Sequence, residues 1–199
     1  MNKGIVATGS QEATQAAADI LRAGGNAFDA AVSAVFTSMT SEFALTGVGG
    51  GGAMMVQTAG SEPILHDFFV DTPPRTGKEK LDFFGLEVDF GDSTQIFHIG
   101  KGSAAVPGTL LGLVMVHQQY GILPLSVVIE PAIHLARNGS VLNTKQAFIF
   151  KLLEPIFSHS EEGRKLFHLN GYILKEGDPF INSDFADFLE RVSLEGAAF

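Results

Sequence analysis

The chain has 199 residues, of which 45% are hydrophobic and 18% charged, and its net charge is −9. Its length suffices for one large domain or two small ones, and its negative charge disfavours nucleic acid and anionic membrane surfaces as partners. The chain has no cysteine, which excludes disulfides, thiol nucleophiles and zinc–thiolate sites.

The first elements predicted along the chain are a short strand and two helices. Ile5–Ala7 is typical of a strand. Ser10 is a suitable N-cap for a helix that ends at Gly24–Gly25. Asn26, with Asp29 three residues later, is a suitable cap for a second helix. This second helix is rich in alanine and has little polar face, so we expect it to be buried on most sides.

A glycine run precedes a predicted β-hairpin. Five of the six residues 47–52 are glycine, and residues 53–58 and 63–70 are predicted to form the two strands. Glycine has no Cβ, so such a run lets backbone approach backbone or a ligand, and it can also direct several N–H groups at one anion. Both roles stay open. Residues 75–94 are charged and weakly periodic, which predicts a long, flexible excursion.

The second half of the chain is predicted to be mainly helical. Helix starts are suggested by Pro107 and Pro124, and helix ends by Gly121 and Gly139. The predicted elements are an extended segment at 95–106, helices at 110–120, 125–137, 144–157 and 161–169, a small strand at 172–174, and a final helix that Asn182 or Ser183 caps and that runs toward Ser193.

Common site motifs are weak or missing. Gly47, Gly49 and Gly52 fit G-x-G-x-x-G, but a dinucleotide site needs a strand before the glycines and a helix after them, and here the predicted order is reversed. No histidine has metal-ligand spacing, and G-x-S-x-G does not occur. His117 and His134 are predicted to be surface or capping residues. We therefore expect no metal and no cofactor.

Several blocks resemble one known family. Residues 24–32 read G-G-N-A-F-D-A-A-V, and residues 47–54 read G-V-G-G-G-G-A-M. V-P-G-T at 106–109 is followed by Y-G-I-L-P at 120–124 and P-A-I-H-L-A at 131–136. In this order the blocks are similar to those of the γ-glutamyltransferase (γ-glutamyl transpeptidase) family. The resemblance runs along nearly the whole chain and covers the N-terminal part of that family's large subunit.

The resemblance implies an α+β fold, which is the N-terminal portion of an αββα N-terminal-nucleophile hydrolase. This portion would be helix-rich with a few β-strands, and residues 1–199 would form a single region. It implies an enzyme that transfers or hydrolyses a γ-glutamyl or related acyl amide. The nucleophile would be an N-terminal threonine released when a precursor cleaves itself. The block that carries this threonine does not occur here, so the chain alone is expected to be inactive.

The resemblance also identifies candidate substrate-binding residues. The family carries D-G-R-E-T-A-P after the hairpin, and its arginine pairs with the substrate α-carboxylate. This chain has D-F-F-V-D-T-P from Asp67 onward, with Phe69 at the arginine position. An apolar ring cannot pair with a carboxylate, so we expect altered substrate recognition, with Arg75 as a hypothetical replacement. The candidate substrate-binding residues are Asp67, Phe69, Asp71 and Arg75, and the candidate structural glycine loop is Gly47, Gly49, Gly50, Gly51 and Gly52.

Expected partners follow from the missing nucleophile. They are the missing C-terminal portion or small subunit, or a second copy of the chain, and a small γ-glutamyl-type substrate in the intact enzyme. Without its partner the chain is expected to self-associate through the alanine-rich helices or the hairpin. The alternatives are a non-catalytic, truncated homologue that acts as a binding or assembly module, and a nucleotide-binding protein. No apolar run reaches the roughly 20 residues of a membrane helix, and no signal peptide is visible, so the default expectation is a cytoplasmic location.

Overall fold

The computed structural model describes residues 4–74, 77 and 81–198. Two short 3₁₀ helices, Lys101–Ser103 and Gly196–Ala198, accompany the regular elements. Those elements are, in chain order, α1 (Gln11–Arg22), α2 (Ala27–Ser41), β1 (Gly52–Val56), β2 (Ile64–Phe68), β3 (Phe84–Asp89), β4 (Thr94–Ile99), α3 (Thr109–Tyr120), α4 (Leu125–Asn138), β5 (Ser140–Val141), α5 (Thr144–Leu152), α6 (Glu154–Phe157), α7 (Glu161–Phe167), β6 (His168–Leu169), β7 (Tyr172–Ile173), β8 (Pro179–Phe180) and α8 (Ser183–Glu195).

The contacts divide the chain into two compact units. The first unit comprises the described residues of Met1–Asp71, Val106–Gly139 and Asn182–Phe199. It therefore contains α1 to α4, α8 and the β1–β2 hairpin. The second unit comprises the described residues of Thr72–Ala105 and Ser140–Ile181, which include β3 to β8 and α5 to α7.

The two N-terminal helices of the first unit begin where the sequence predicts. The Ser10 hydroxyl accepts a hydrogen bond from the Ala13 N–H at the start of α1. The Asn26 side chain accepts from the Asp29 N–H, and the Asp29 carboxylate accepts from the Asn26 N–H, which completes a capping box at the start of α2. Each cap satisfies helix-end N–H groups that would otherwise have no partner.

The alanine-rich surfaces of α1 and α2 are buried in one cluster, which also contains Ile20. Ala13 and Ala17 of α1 pack there with Ala30 and Ala34 of α2. Small side chains let two helix backbones approach closely. These alanines are therefore already covered within the chain, and of the two surfaces expected to drive self-association only the hairpin remains exposed.

The main core of the first unit lies among α2, α3, α4 and α8. The fully buried side chains there include Phe36 from α2, Leu113 from α3, Ile129 from α4 and Leu189 from α8. Asn182 caps α8, as predicted, by accepting a hydrogen bond from the Phe185 N–H. This core supports α3, on which the hairpin rests.

The predicted hairpin is present, with β1 and β2 antiparallel and the register running from Gly52 opposite Phe68 to Val56 opposite Ile64. Phe68 packs directly on α3. A Cβ on Gly112 would lie only 2.2 Å from the Phe68 ring, so glycine is what lets the ring approach the helix. This contact fixes the distance between the hairpin and α3.

The second unit is built from short strand pairs and short helices. β3 pairs with β4, β5 with β8 and β6 with β7, all antiparallel. The side chain of Phe150 is buried and faces Phe157 and Phe167, with ring centroids 5.4 and 6.0 Å away. The small strand predicted at 172–174 is present as β7.

Four sequence predictions are wrong in detail. Ile5–Ala7 is not a strand: Ile5 is almost fully exposed, and this segment pairs with no described strand. Phe84–Asp89, predicted as part of an excursion, forms β3, because its inward Leu86 and Val88 alternate with outward acidic residues. The predicted helix at 144–157 is two helices, α5 and α6, and α3 begins at Thr109, two residues after Pro107.

No helix in the described part of the chain is both long and apolar enough to cross a membrane.

Candidate functional site

The glycine loop, the end of β2 and the start of α3 contact one another in the first unit. The carbonyl oxygen of Gly50 accepts hydrogen bonds from the N–H groups of Gly108 and Thr109, at 3.1 and 3.2 Å. Residue 108 must be small, since a Cβ there would lie 2.1 Å from the Phe68 carbonyl oxygen. Asp71 then pairs with Val106 through two backbone hydrogen bonds of 3.1 and 2.8 Å. The chain is therefore pinned on both sides of residues 69 and 70.

The glycines of the loop differ in how closely they are packed. A Cβ on Gly51 would lie 2.4 Å from the Val70 nitrogen, so this position requires close backbone contact. A Cβ on Gly52 would meet the Phe68 ring at 3.0 Å, whereas Gly47 and Gly49 have no atom within 4 Å of theirs. None of residues 47–52 has a positive φ. Close approach, rather than an unusual backbone conformation, is therefore what glycine provides at position 51.

Three predicted site residues lie on this pinned segment, and all three are exposed. The Asp67 carboxylate accepts a hydrogen bond of 3.0 Å from the Phe69 N–H, which forms a local turn. The side chain of Phe69 is 71% exposed, and Asp71 makes the backbone bridge to Val106. Arg75, the fourth predicted residue, lies outside the described residues.

His66 and Asp67 point to opposite faces of the hairpin, as neighbouring strand residues do. The half-buried His66 shares a hydrogen bond of 3.2 Å between its Nε2 and the Tyr120 hydroxyl, and its ring meets the Tyr120 ring edge-on. Tyr120 in turn stacks on Phe28 of α2. His66 therefore connects the inner face of β2 to α3, while Asp67 faces outward.

The outward face of the hairpin is apolar. Met55 and Leu65 are opposite each other, and their side chains are 64% and 57% exposed. Ala53, also exposed, lies opposite Asp67 on the same face. One face of an antiparallel sheet can be solvated, but such a face normally carries polar residues. An apolar face is typical of a surface that another layer of protein covers.

Of the two roles predicted for His117, surface residue or cap, the first is wrong, because its side chain is buried beside Asp29. The Asp29 side chain is fully buried and accepts N–H groups from Asn26 at 3.0 Å and from Ile122 at 3.2 Å. The His117 Nε2 donates to the Leu123 carbonyl oxygen at 2.9 Å and lies 3.5 Å from the Asp29 carboxylate. The sequence identifies Asp29 as a helix cap, but not its contact with a turn more than ninety residues later.

No group of three or more histidine, aspartate or glutamate side chains suited to a metal ion occurs among the described residues. The glycine loop is followed by strand β1, not by a helix. This is the reverse of the order that a dinucleotide site requires, so Gly47, Gly49 and Gly52 do not form the G-x-G-x-x-G fingerprint of such a site.

The arrangement of helices and hairpins defines the class of protein. It matches the solved structure titled "Crystal Structure of Helicobacter pylori gamma-Glutamyltranspeptidase" with a TM-score of 0.82 and 29% sequence identity, over 98% of this chain and 55% of that one. The chain therefore has the fold of the N-terminal portion of an αββα N-terminal-nucleophile hydrolase, as predicted.

The family follows from the sequence comparison. The profile described as Gamma-glutamyltranspeptidase matches residues 13–199, and the chain belongs to this family. The Glutathione hydrolase proenzyme of Escherichia coli (strain K12) is 31% identical over 197 residues, which cover 98% of this chain and 33% of that protein. The Acylase ACY 1 proenzyme of Pseudomonas sp. (strain SE83) is 30% identical over 199 residues, which cover 98% and 35%. The chain thus spans about a third of the length of these relatives.

Proposed function

We propose that this chain forms one wall of the acyl-binding pocket in an enzyme that transfers or hydrolyses a γ-glutamyl or related acyl amide. The observation that carries the proposal is the hairpin end, where the Gly51 and Gly108 contacts and the Asp71–Val106 bridge hold Asp67 and Phe69 at the surface. Binding residues are effective when the surrounding backbone is fixed in this way.

The nucleophile of this enzyme is an N-terminal threonine carried by polypeptide that is not part of the chain. Its hydroxyl attacks the amide carbonyl, and its own α-amine takes the proton and passes it to the leaving amine as the C–N bond breaks. Water or an amine then attacks the resulting acyl ester, which releases the acyl product and restores the threonine hydroxyl. The apolar outward face of the hairpin, around Met55 and Leu65, supports a missing layer of protein in this region. The chain without its partner is therefore inactive toward amides.

Phe69 changes which acyl group this wall accepts. The family pattern has an arginine at this position to pair with a carboxylate, and the phenyl ring provides apolar contact instead. We expect the enzyme to favour an acyl group that presents an apolar surface here over one that presents a carboxylate. The family includes relatives named as glutathione hydrolases and others named as acylases, so a difference in acyl preference within it is reasonable.

The test of the substrate proposal is Phe69→Arg in the complete enzyme, assayed with a γ-glutamyl anilide and a phenylacetyl anilide. A charge-assisted pair contributes about 1.5–3 kcal/mol, so kcat/KM for the γ-glutamyl substrate should rise at least about ten-fold while that for the phenylacetyl substrate falls. Leu194→Arg is the matched control, because Leu194 is an exposed apolar residue on α8. Equal effects of both variants on the two substrates would refute the role of Phe69.

Arg75 stays a hypothetical carboxylate partner. Arg75→Ala in the complete enzyme should weaken the affinity for a γ-glutamyl substrate if Arg75 replaces the family arginine. An unchanged KM and kcat would remove Arg75 from the site.

The competing function is that of a non-catalytic binding or assembly module, which the exposed hairpin face also favours. The nucleotide sequence downstream of the Phe199 codon distinguishes the two. The enzyme proposal requires a threonine-nucleophile segment there or in a companion polypeptide, and amide turnover when both parts are present. If neither exists, or if the isolated chain turns over an amide by itself, the proposal is wrong.

A further inference from the structure

A cavity of about 240 Å³, partly open to solvent, lies in the first unit between the hairpin, α2, α3 and the glycine loop. We name it the glycine-loop cavity. Its apolar lining comes from three directions: Val35 of α2, Met54 and Phe68 of the hairpin, and Leu113 of α3, together with Leu45 from the segment before the glycines. A cavity of about 150 Å³ already holds a benzene molecule, so this one has room for a single substituted ring.

Two threonines, Thr46 and Thr109, line the same cavity, and Thr109 is the more buried of the two. Thr109, in the first turn of α3, lines the cavity and is only 6% exposed. Its N–H donates to the Gly50 carbonyl oxygen, but its hydroxyl makes no hydrogen bond to any residue in the described part of the chain. The Thr109 hydroxyl oxygen is not among the fully buried, unpaired side-chain atoms of the described residues, so water can reach it, and a ligand oxygen can take the place of that water. The Thr109 hydroxyl is therefore available to a bound molecule.

None of the residues that line the cavity carries a charge. An ion placed there would lose its hydration with no opposite charge to compensate, whereas a neutral molecule would gain from apolar contact with the walls. The lining therefore selects against ions and favours a neutral ligand.

We propose that the glycine-loop cavity is a binding site for a small neutral molecule with an apolar body about the size of one aromatic ring and a single hydroxyl or carbonyl oxygen. The ring lies among the apolar side chains, and the oxygen forms a hydrogen bond with the Thr109 hydroxyl. Occupation of this cavity does not depend on acyl transfer, so the proposal can fail while the enzymatic proposal holds, and the reverse.

Two glycines of the same loop provide a matched pair of variants for the test. Gly47 lines the cavity and Gly49 does not, yet both have open space around the position of a Cβ, and neither has a positive φ. A Cβ is therefore sterically acceptable at both positions. Of the two, only Gly47 lines the cavity, so we expect only its replacement by leucine to reduce the space for a ligand.

The experiment titrates the 199-residue chain with phenol and with toluene, monitored by NMR chemical shifts. Both should bind saturably and compete with each other. Gly47→Leu should abolish the binding of both, and Gly49→Leu should leave it unchanged. Thr109→Val removes only the hydroxyl, whose hydrogen bond contributes about 0.5–1.5 kcal/mol. It should therefore weaken phenol binding about two- to twelve-fold and leave toluene binding unaltered.

Three results would overturn the proposal. The first is the absence of saturable binding of phenol to the unmodified chain. The second is unchanged phenol binding in a folded Gly47→Leu variant. The third is an equal loss of phenol and toluene binding in Thr109→Val, because the hydroxyl would then have no specific role.

Discussion

Replacement of Asp29 by alanine should destabilise the first unit more than any surface aspartate replacement. The Asp29 carboxylate is fully buried and accepts the N–H groups of Asn26 and Ile122. Alanine would leave both donors without this partner, and both hydrogen bonds are partly buried. It would also remove the carboxylate that lies 3.5 Å from the His117 Nε2.

The size of the effect follows from these two bonds. Each hydrogen bond to a charged group contributes about 1.5–3 kcal/mol, so the loss is about 3–6 kcal/mol. This is a large part of the roughly 5–15 kcal/mol by which domains are stable. At a urea dependence of about 2 kcal/mol per M, the unfolding midpoint should fall by about 1.5–3 M. Asp29→Asn keeps the side-chain volume and one acceptor oxygen, so it should lose about half as much and remains measurable if the alanine variant does not fold.

Urea unfolding of the 199-residue chain, followed by far-ultraviolet circular dichroism, measures these differences. The control is Asp187→Ala, since the Asp187 side chain is 66% exposed and pairs with Arg137 at the surface. Exposed ion pairs contribute about 0–1 kcal/mol, so its midpoint should fall by less than about 0.5 M. If Asp29→Ala shifted the midpoint no more than Asp187→Ala does, the buried carboxylate would not be the link between α2 and the turn after α3.

Two further predictions concern the hairpin. Gly51→Ala should lower the free energy of unfolding by about 1–3 kcal/mol, because its Cβ would lie 2.4 Å from the Val70 nitrogen. The control is Gly49→Ala, whose Cβ would have no atom within 4 Å. Equal urea midpoints for the two variants would contradict this explanation. The isolated chain should self-associate through the apolar hairpin face, so the double variant Met55→Lys and Leu65→Lys should convert it to a monomer in analytical ultracentrifugation. A parent chain that is already monomeric at all concentrations would disprove this role of the face.

Much of the fold could be predicted because its signals are local. Ser10, Asn26 and Asn182 each satisfy N–H groups within three residues of themselves, so a short stretch of sequence contains both members of each interaction. The β1–β2 hairpin was also predictable, since its two strands follow each other in the sequence and only residues 57–63 separate them. The errors lie where the local pattern is short: residues 5–7 have no neighbouring strand among the described residues, and the alternation that marks β3 covers only residues 86–89.

The candidate site shows the same division. The sequence identified Asp67, Phe69 and Asp71 as one segment, and the position of Phe69 became informative through the family pattern. The sequence could not show which glycine is sterically required, since Gly47, Gly49 and Gly51 are chemically identical. Only the position of the backbone at residues 69 and 70 distinguishes Gly51 from the other two.

The amino-acid sequence by itself determined the family, the helix caps, the hairpin and the absence of a thiol nucleophile. These depend on residue identity and on interactions between near neighbours along the chain. The tertiary structure alone decided that His117 is buried beside Asp29, that the Thr109 hydroxyl lines a cavity, and that the outer face of the hairpin is exposed. Each of these depends on segments tens of residues apart being brought into contact, or left uncovered, by the packing of the core. Such contacts leave no periodic or local signal in a single sequence.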